Sequence, residues 1–185
     1  IEDLLSYGAG QSRKPSLDLA RVELKRIMSR VLDDQKLALR SKGLALKIDV
    51  QDLTLTADFE KLRVIFDNLV SNAIKYSPAG GTVAIAGRHV AGHVLIDVTD
   101  QGPGIAPEER KLVFEPFYRG NLAADTLVKG TGIGLSVVRE YAQMHGGNAE
   151  IVVTSTGTRV RIRLPLTPSV DAEAPLPADS AEMVR

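Results

Sequence analysis

Asp67-Asn-Leu-Val-Ser-Asn-Ala-Ile-Lys-Tyr76 is the most informative segment of the chain. Placed on a helix, where residues three and four apart share a face, Asn68, Asn72 and Lys75 make one polar stripe. Leu62, Ile65, Phe66, Leu69 and Ala73 make the stripe beside it. One face can therefore pack on a core while its neighbour presents two amides and an ammonium. Asparagine is a poor helix former because its side chain competes for backbone groups. Two of them one turn apart in mid-helix point to a task, against the plainer reading of a solvated face. Two glycine-rich stretches downstream decide between these readings.

Asp58 is a candidate N-cap for this helix, and Ser77-Pro78 must end it. On the N-terminal side, Leu24, Ile27, Met28, Val31, Leu32 and Leu39 keep helical spacing up to a stop at Gly43. Leu44, Leu46, Ile48 and Val50 alternate as in a strand. On the C-terminal side, Thr82–Val90 and Val94–Thr99 read as strands joined by a tight turn at Ala91-Gly92. Pro107–Val113 reads as a short helix and Gly120–Lys129 as a mobile loop. A helix carrying Leu135, Val138, Tyr141 and Ala142 follows Gly134 and stops at His145-Gly-Gly147. Ile151–Val153 and Val160–Leu164 close the pattern as a hairpin around Thr156-Gly157. These elements predict one mixed sheet with helices on one face, the other face being left open by pattern alone.

Composition limits the function. The 185 residues suffice for one domain with a core. Lysine plus arginine and aspartate plus glutamate number 23 each, so no overall charge argues for nucleic acid or an anionic membrane. There is no cysteine, which excludes disulfide and thiol chemistry. No apolar run approaches the about 20 residues that span a bilayer. The chain opens at Ile1, and Ile1–Tyr7 reads as the end of a helix that starts earlier in a longer protein, with a polar linker after it.

The glycines carry the chemistry. Gly130, Gly132 and Gly134 alternate immediately before a helix, where unpaired N–H groups and the positive end of the helix dipole suit phosphate. Asp100 ends a strand next to Gly102 and Gly104, and its carboxylate could accept a hydrogen bond from an exocyclic amine such as adenine's. A turn-forming aspartate is the alternative.

Four boxes in order, Asn68-Leu-Val-Ser-Asn-Ala-Ile-Lys-Tyr76, Asp100-Gln-Gly-Pro-Gly-Ile105, Phe114-Glu-Pro-Phe-Tyr-Arg119 and Gly130-Thr-Gly-Ile-Gly-Leu135, resemble the N box, first glycine box, F box and second glycine box of sensor histidine kinases. The resemblance is to their ATP-binding catalytic domain, in the superfamily that includes DNA gyrase B, Hsp90 and MutL. It implies an α/β two-layer sandwich of the Bergerat type: a mixed, mostly antiparallel sheet, three helices on one face and a mobile ATP lid. The resemblance covers about Val22–Leu166, and the expected divisions are a dimerisation-helix end and linker at 1–16, the ATP-binding domain at 17–166 and, from its Pro-, Ala- and acid-rich composition, a disordered tail at 167–185.

The same resemblance implies ATP and Mg²⁺ as cofactors. Asn72 would ligate the metal, and Asn68 would support metal and phosphates. Lys75 would neutralise phosphate charge, so Asn68 and Lys75 are the implied catalytic pair. Tyr76, Ile105 and Leu135 would lie beside the nucleotide. Asp100 would read the adenine amine, with Thr158 sharing a water with it. Gly102 and Gly104 would allow close approach, and Gly130, Thr131, Gly132 and Gly134 would receive phosphates. Residues 103–129 would form the lid, with Arg119 reaching a phosphate or a partner domain. Hydrolysing relatives carry a glutamate where this chain has Asn68, an amide that cannot take a proton, which implies transfer rather than hydrolysis. His89, His93 and His145 lack the context of an acceptor histidine and read as surface or capping residues. The implied partners are a separate dimerisation domain bearing that histidine, and a response regulator. The parent is expected to be a homodimer anchored in the bacterial inner membrane, with this part cytoplasmic and monomeric alone. A nucleotide-sensing module without phosphotransfer is the alternative.

Overall fold

The computed structural model describes residues 16–120 and 130–168. Strand β1 (Leu19–Glu23) leads into helices α1 (Leu24–Asp34) and α2 (Lys36–Ser41). Strands β2 (Ala45–Val50) and β3 (Thr54–Asp58) precede the long helix α3 (Phe59–Tyr76). Strands β4 (Thr82–Val90) and β5 (His93–Thr99) form a hairpin. Two 3₁₀ turns (Pro107–Glu109 and Leu112–Phe114), helix α4 (Gly134–Met144) and strands β6 (Asn148–Val152) and β7 (Arg159–Pro165) complete the order.

The main sheet runs β2-β4-β5-β7-β6, parallel between β2 and β4 and antiparallel elsewhere. It is the mixed, mostly antiparallel sheet of the expectation. Strand periodicity puts Val83 and Ile85 of β4, Val94, Ile96 and Val98 of β5, and Val160, Ile162 and Leu164 of β7 on one face. The helices cover that face, and Leu62, Ile65, Phe66, Leu69 and Ala73 of α3 are all buried against it. Each large apolar side chain removed from water there contributes about 1.5–3 kcal/mol. That face of α3 is consequently committed to the core, and the asparagine stripe is left facing elsewhere. The opposite face of the sheet carries Arg88, Asp97 and Arg161. Asp97 there accepts two hydrogen bonds from Arg161, Nε–Oδ1 at 2.7 Å and Nη2–Oδ2 at 2.8 Å.

Several elements differ from expectation. The first helix breaks at Gln35, whose backbone departs from helical angles (φ −90°, ψ 0°) and whose Nε2 donates to Asp67 Oδ1 at 2.8 Å. A second sheet, β1 against β3, was not foreseen. The short helix expected at 107–113 is two separate 3₁₀ turns. The anticipated helix end and linker at 1–15, the loop at 121–129 and the tail from 169 lie outside the described residues.

His145 is a cap, as expected, but a buried one (1% exposed) rather than a surface residue. Its Nδ1–H donates to the Tyr141 carbonyl at 2.6 Å, and its Nε2 accepts from the Asp58 backbone N–H at 3.0 Å. The neutral ring thus ties the end of α4 to the start of α3. Burial pushes the His145 pKa below 6.5, although the Tyr141 carbonyl and Asp58 pull upward; Lys61 pushes it further down. The unfolded chain therefore binds the proton more readily than the native state. This contribution to stability is complete above pH 6.5 and declines as pH falls below it. Asp58 titrates lower still. Its burial raises the pKa, but hydrogen bonds from Lys61 and the Asp18 N–H hold it below 3.8. We expect His145→Gln, which keeps an acceptor for Asp58 but cannot titrate, to flatten the fall in melting temperature between pH 7.5 and 5.5. Parallel thermal melts of the two proteins check this.

Candidate nucleotide-binding site

Helix α3 starts at Asp58, whose Oδ1 accepts the Lys61 backbone N–H at 3.0 Å. This fixes the rotational phase of the helix, and Asn68, Asn72 and Lys75 emerge on a single cleft of about 340 Å³. Asn68 Nδ2 donates to the Val64 carbonyl at 2.9 Å, which leaves Oδ1 as the outward atom. A Cβ added to Gly134 would lie 2.6 Å from that oxygen, and one added to Gly130 would lie 2.9 Å from Lys75 Nζ. The second glycine box is thus moulded onto the polar stripe. Gly132 (φ +74°) accepts the Phe117 N–H at 3.0 Å, which ties the F box to the same loop. Burial, with the nearby positive charge of Arg119 adding to it, lowers the Lys75 pKa. Two cations therefore share one end of the cleft, an arrangement that favours a polyanion there.

The other end is built around Asp100, which is 7% exposed. Its Oδ1 accepts the Gly102 N–H at 2.8 Å and the Thr158 N–H at 3.1 Å. Burial raises its pKa above 3.8, and these two bonds work against that. Both bonds fall on Oδ1, so Oδ2 remains for the cleft. Thr158, expected beside Asp100, meets the carboxylate through its backbone N–H. Between these ends Leu69, Ala73, Ile105, Val113, Leu135, Val98 and Val160 line an apolar middle suited to a flat ring.

All the site residues named from sequence line this cleft except Gly102. That glycine sits behind the wall. A Cβ on it would meet the Tyr76 carbonyl at 2.8 Å and Asp100 Oδ1 at 2.9 Å, so it admits protein backbone rather than ligand. Sequence reasoning missed Glu109, Tyr118 and Gly157. Tyr118 Oη donates to Glu109 Oε1 at 3.1 Å, and both line the cleft. Gly157 (φ +69°) lies against the Asp100 carbonyl and leaves no room for a side chain. For Gly157 the available signal was its place as the turn glycine directly before Thr158.

An amide-bearing helix facing a glycine-rich helix start, with a buried carboxylate at a strand end, defines a nucleotide-binding α/β sandwich. Residues 57–168 match the profile of histidine kinase-, DNA gyrase B- and HSP90-like ATPases, and the chain belongs to that family. It is 35% identical over 163 residues to the sensor-like histidine kinase SenX3 of Mycobacterium tuberculosis, covering 87% of this chain and 39% of that protein. It is 42% identical over 126 residues to the histidine protein kinase DivJ of Caulobacter vibrioides, covering 65% of this chain and 21% of that protein. The chain therefore spans about two fifths or less of the length of these relatives. Among solved structures, the mycobacterial sensor histidine kinase MprB superposes with a TM-score of 0.70 at 30% identity, covering 82% of this chain and 99% of that one. Full-length ShkA in complex with AMPPNP gives 0.76 at 27% identity, covering 89% of this chain and 34% of that one.

Proposed function

We propose that residues 17–166 are the ATP-binding catalytic domain of a two-component sensor histidine kinase, passing the γ-phosphoryl group to a histidine on a separate dimerisation domain. The observation that carries this reading is Asn68. It occupies the helix position one turn before Asn72, its amide orientation is fixed by Val64, and it has no basic atom to activate water. An adenine nucleotide fits the cleft by chemistry. Asp100 Oδ2 accepts from the purine amine, the apolar middle holds the ring, and Lys75 and Arg119 balance the phosphates. The oxygens of Asn72 and Asn68 suit Mg²⁺, a hard cation that takes most of its ligands from phosphate and water. When bound, the ion neutralises charge on the transferring phosphate. Asn72 holds the phosphates in register, Asn68 supports Asn72, and Gly130–Gly134 offer backbone N–H groups at the start of α4. These residues align the phosphate chain for in-line attack and leave the nucleophile to the partner.

That nucleophile is an imidazole from outside this chain. His89 and His93 lie at the far hairpin of the sheet, and His145 is locked under α3. The parent protein would be a homodimer anchored at the inner membrane, with this part in the cytoplasm, and would pass its phosphoryl group to a response regulator. Among the described residues no helix is long and apolar enough to cross a membrane. The test is transfer in trans. The purified chain with Mg·ATP should label a separately purified dimerisation domain bearing the acceptor histidine. Nucleotide binding with no transfer to any such acceptor would favour a nucleotide-sensing module instead.

Asn72→Ala should weaken Mg·ATP binding about tenfold, because one metal ligand is lost, while the apo protein keeps its melting temperature. Titration calorimetry with and without Mg²⁺ checks this, and a large fall in apo stability would show the side chain to be structural.

A further inference from the structure

The ammonium of Lys42, at the end of α2, is spent entirely on backbone. Its Nζ donates to the carbonyls of Ile74 at 2.8 Å, Lys75 at 2.7 Å and Ser77 at 2.8 Å. These belong to the last turn of α3 and the residue after it, where helix geometry leaves carbonyls without partners and concentrates the negative end of the dipole. A single ammonium satisfies three such groups with its three hydrogens. The backbone of Lys42 adds a further tie, its carbonyl accepting the Gly80 N–H at 3.0 Å.

The far side of that turn is the cleft. Lys75 projects from it toward Gly130, and the Tyr76 carbonyl is the surface on which Gly102 rests. The next residues continue the chain of contacts: Thr82 N–H donates to Gln101 Oε1 at 2.7 Å, next to Asp100. The clamp therefore fixes the end of the helix that supplies the cleft's half-buried ammonium.

We infer that Lys42 is a positioning residue for nucleotide binding: by clamping the last turn of α3 from behind, it holds the Lys75 ammonium at the phosphate end of the cleft. Lys42 touches no nucleotide itself and does not line the cleft. It acts through the carbonyls of Ile74, Lys75 and Ser77. The inference rests on the nucleotide-binding reading above. A fold-only role predicts lower stability alone, whereas positioning predicts weaker phosphate binding that depends on Lys75 being present.

The experiment is a double-mutant cycle in affinity. A non-hydrolysable ATP analogue with Mg²⁺ is titrated at low temperature into the native chain, Lys42→Met, Lys75→Met and the double variant, each checked as folded by circular dichroism. Lys42→Met is expected to weaken binding about tenfold in the native background and less than twofold in the Lys75→Met background, since coupled sites are non-additive. Should Lys42→Met fail to fold, Lys42→Gln keeps two donors and carries the same comparison. Affinity within twofold of native for the folded single variant overturns the inference, and so does an equal loss in both backgrounds. If the native chain itself binds no analogue, the nucleotide reading fails, and that result is distinct from either.

Discussion

Asp100→Asn is expected to weaken ATP binding by about thirty- to hundredfold and to turn the purine preference toward a 6-oxo base, because it places two donors face to face in a buried site. The geometry dictates which way the amide points. Gly102 and Thr158 both aim backbone N–H groups at the Oδ1 position, so an asparagine must keep its carbonyl oxygen there. Its NH₂ then occupies the Oδ2 position and meets the adenine amine, which is also a donor. Rotating the amide would only move the conflict, putting a donor against two backbone donors. Hypoxanthine has a carbonyl at that ring position and would accept from the new NH₂. The variant should therefore bind inosine triphosphate better than ATP, reversing the native order. Competitive titration of the two nucleotides checks this. Equal weakening for both would show that Oδ2 does not read the base.

The parts of the fold that sequence made legible are those whose pattern is local. The period of α3 separates its buried stripe from its amide stripe because both recur every three or four residues within one helix. The strands β4, β5 and β7 alternate cleanly since one face of each is buried. Strand β1 offers no such pattern. Only Val22 of its five residues is buried, and its partner β3 lies far along the chain, so nothing local marks the pairing. The break at Gln35 escapes periodicity for a similar reason: it goes with a side-chain hydrogen bond to Asp67 on another helix, which no local pattern marks. At the site, residues that line the cleft were visible, and residues that hold them were not. A lysine before Gly43 reads as a surface charge, yet Lys42 closes the end of α3. Gly102 reads as a ligand glycine because it sits inside a recognised box, yet what it admits is the Tyr76 carbonyl. Motif membership identifies the neighbourhood, and only the packing distinguishes the wall from the lining.

Gly157→Ala is expected to destabilise the protein by about 3 kcal/mol and to abolish measurable nucleotide binding in whatever fraction remains folded, through two separable effects. The first is conformational. Gly157 has φ +69°, a region that costs an L-residue about 1 kcal/mol. The second is steric. A Cβ there would run into the Asp100 carbonyl, with Gln101 Cα only 2.9 Å away, and neither atom can rotate aside because both are backbone. The loop before β7 must then lift off the Asp100 segment. That movement withdraws the Thr158 N–H from Asp100 Oδ1 and the Thr158 carbonyl from the Asp100 N–H, now at 3.1 and 2.9 Å. The Asp100 carboxylate loses half its bracing, which is why binding should suffer beyond the loss of stability. Gly92→Ala supplies the control. Gly92 has a similar φ of +77° but nothing within 4 Å of its would-be Cβ, and it sits at the distant β4–β5 turn. It should lose only the conformational part, about 1 kcal/mol, and keep native affinity. Denaturant unfolding and low-temperature titration of both variants separate the two effects. Matching losses in the two proteins would mean that strain alone governs Gly157 and that the site tolerates a displaced loop.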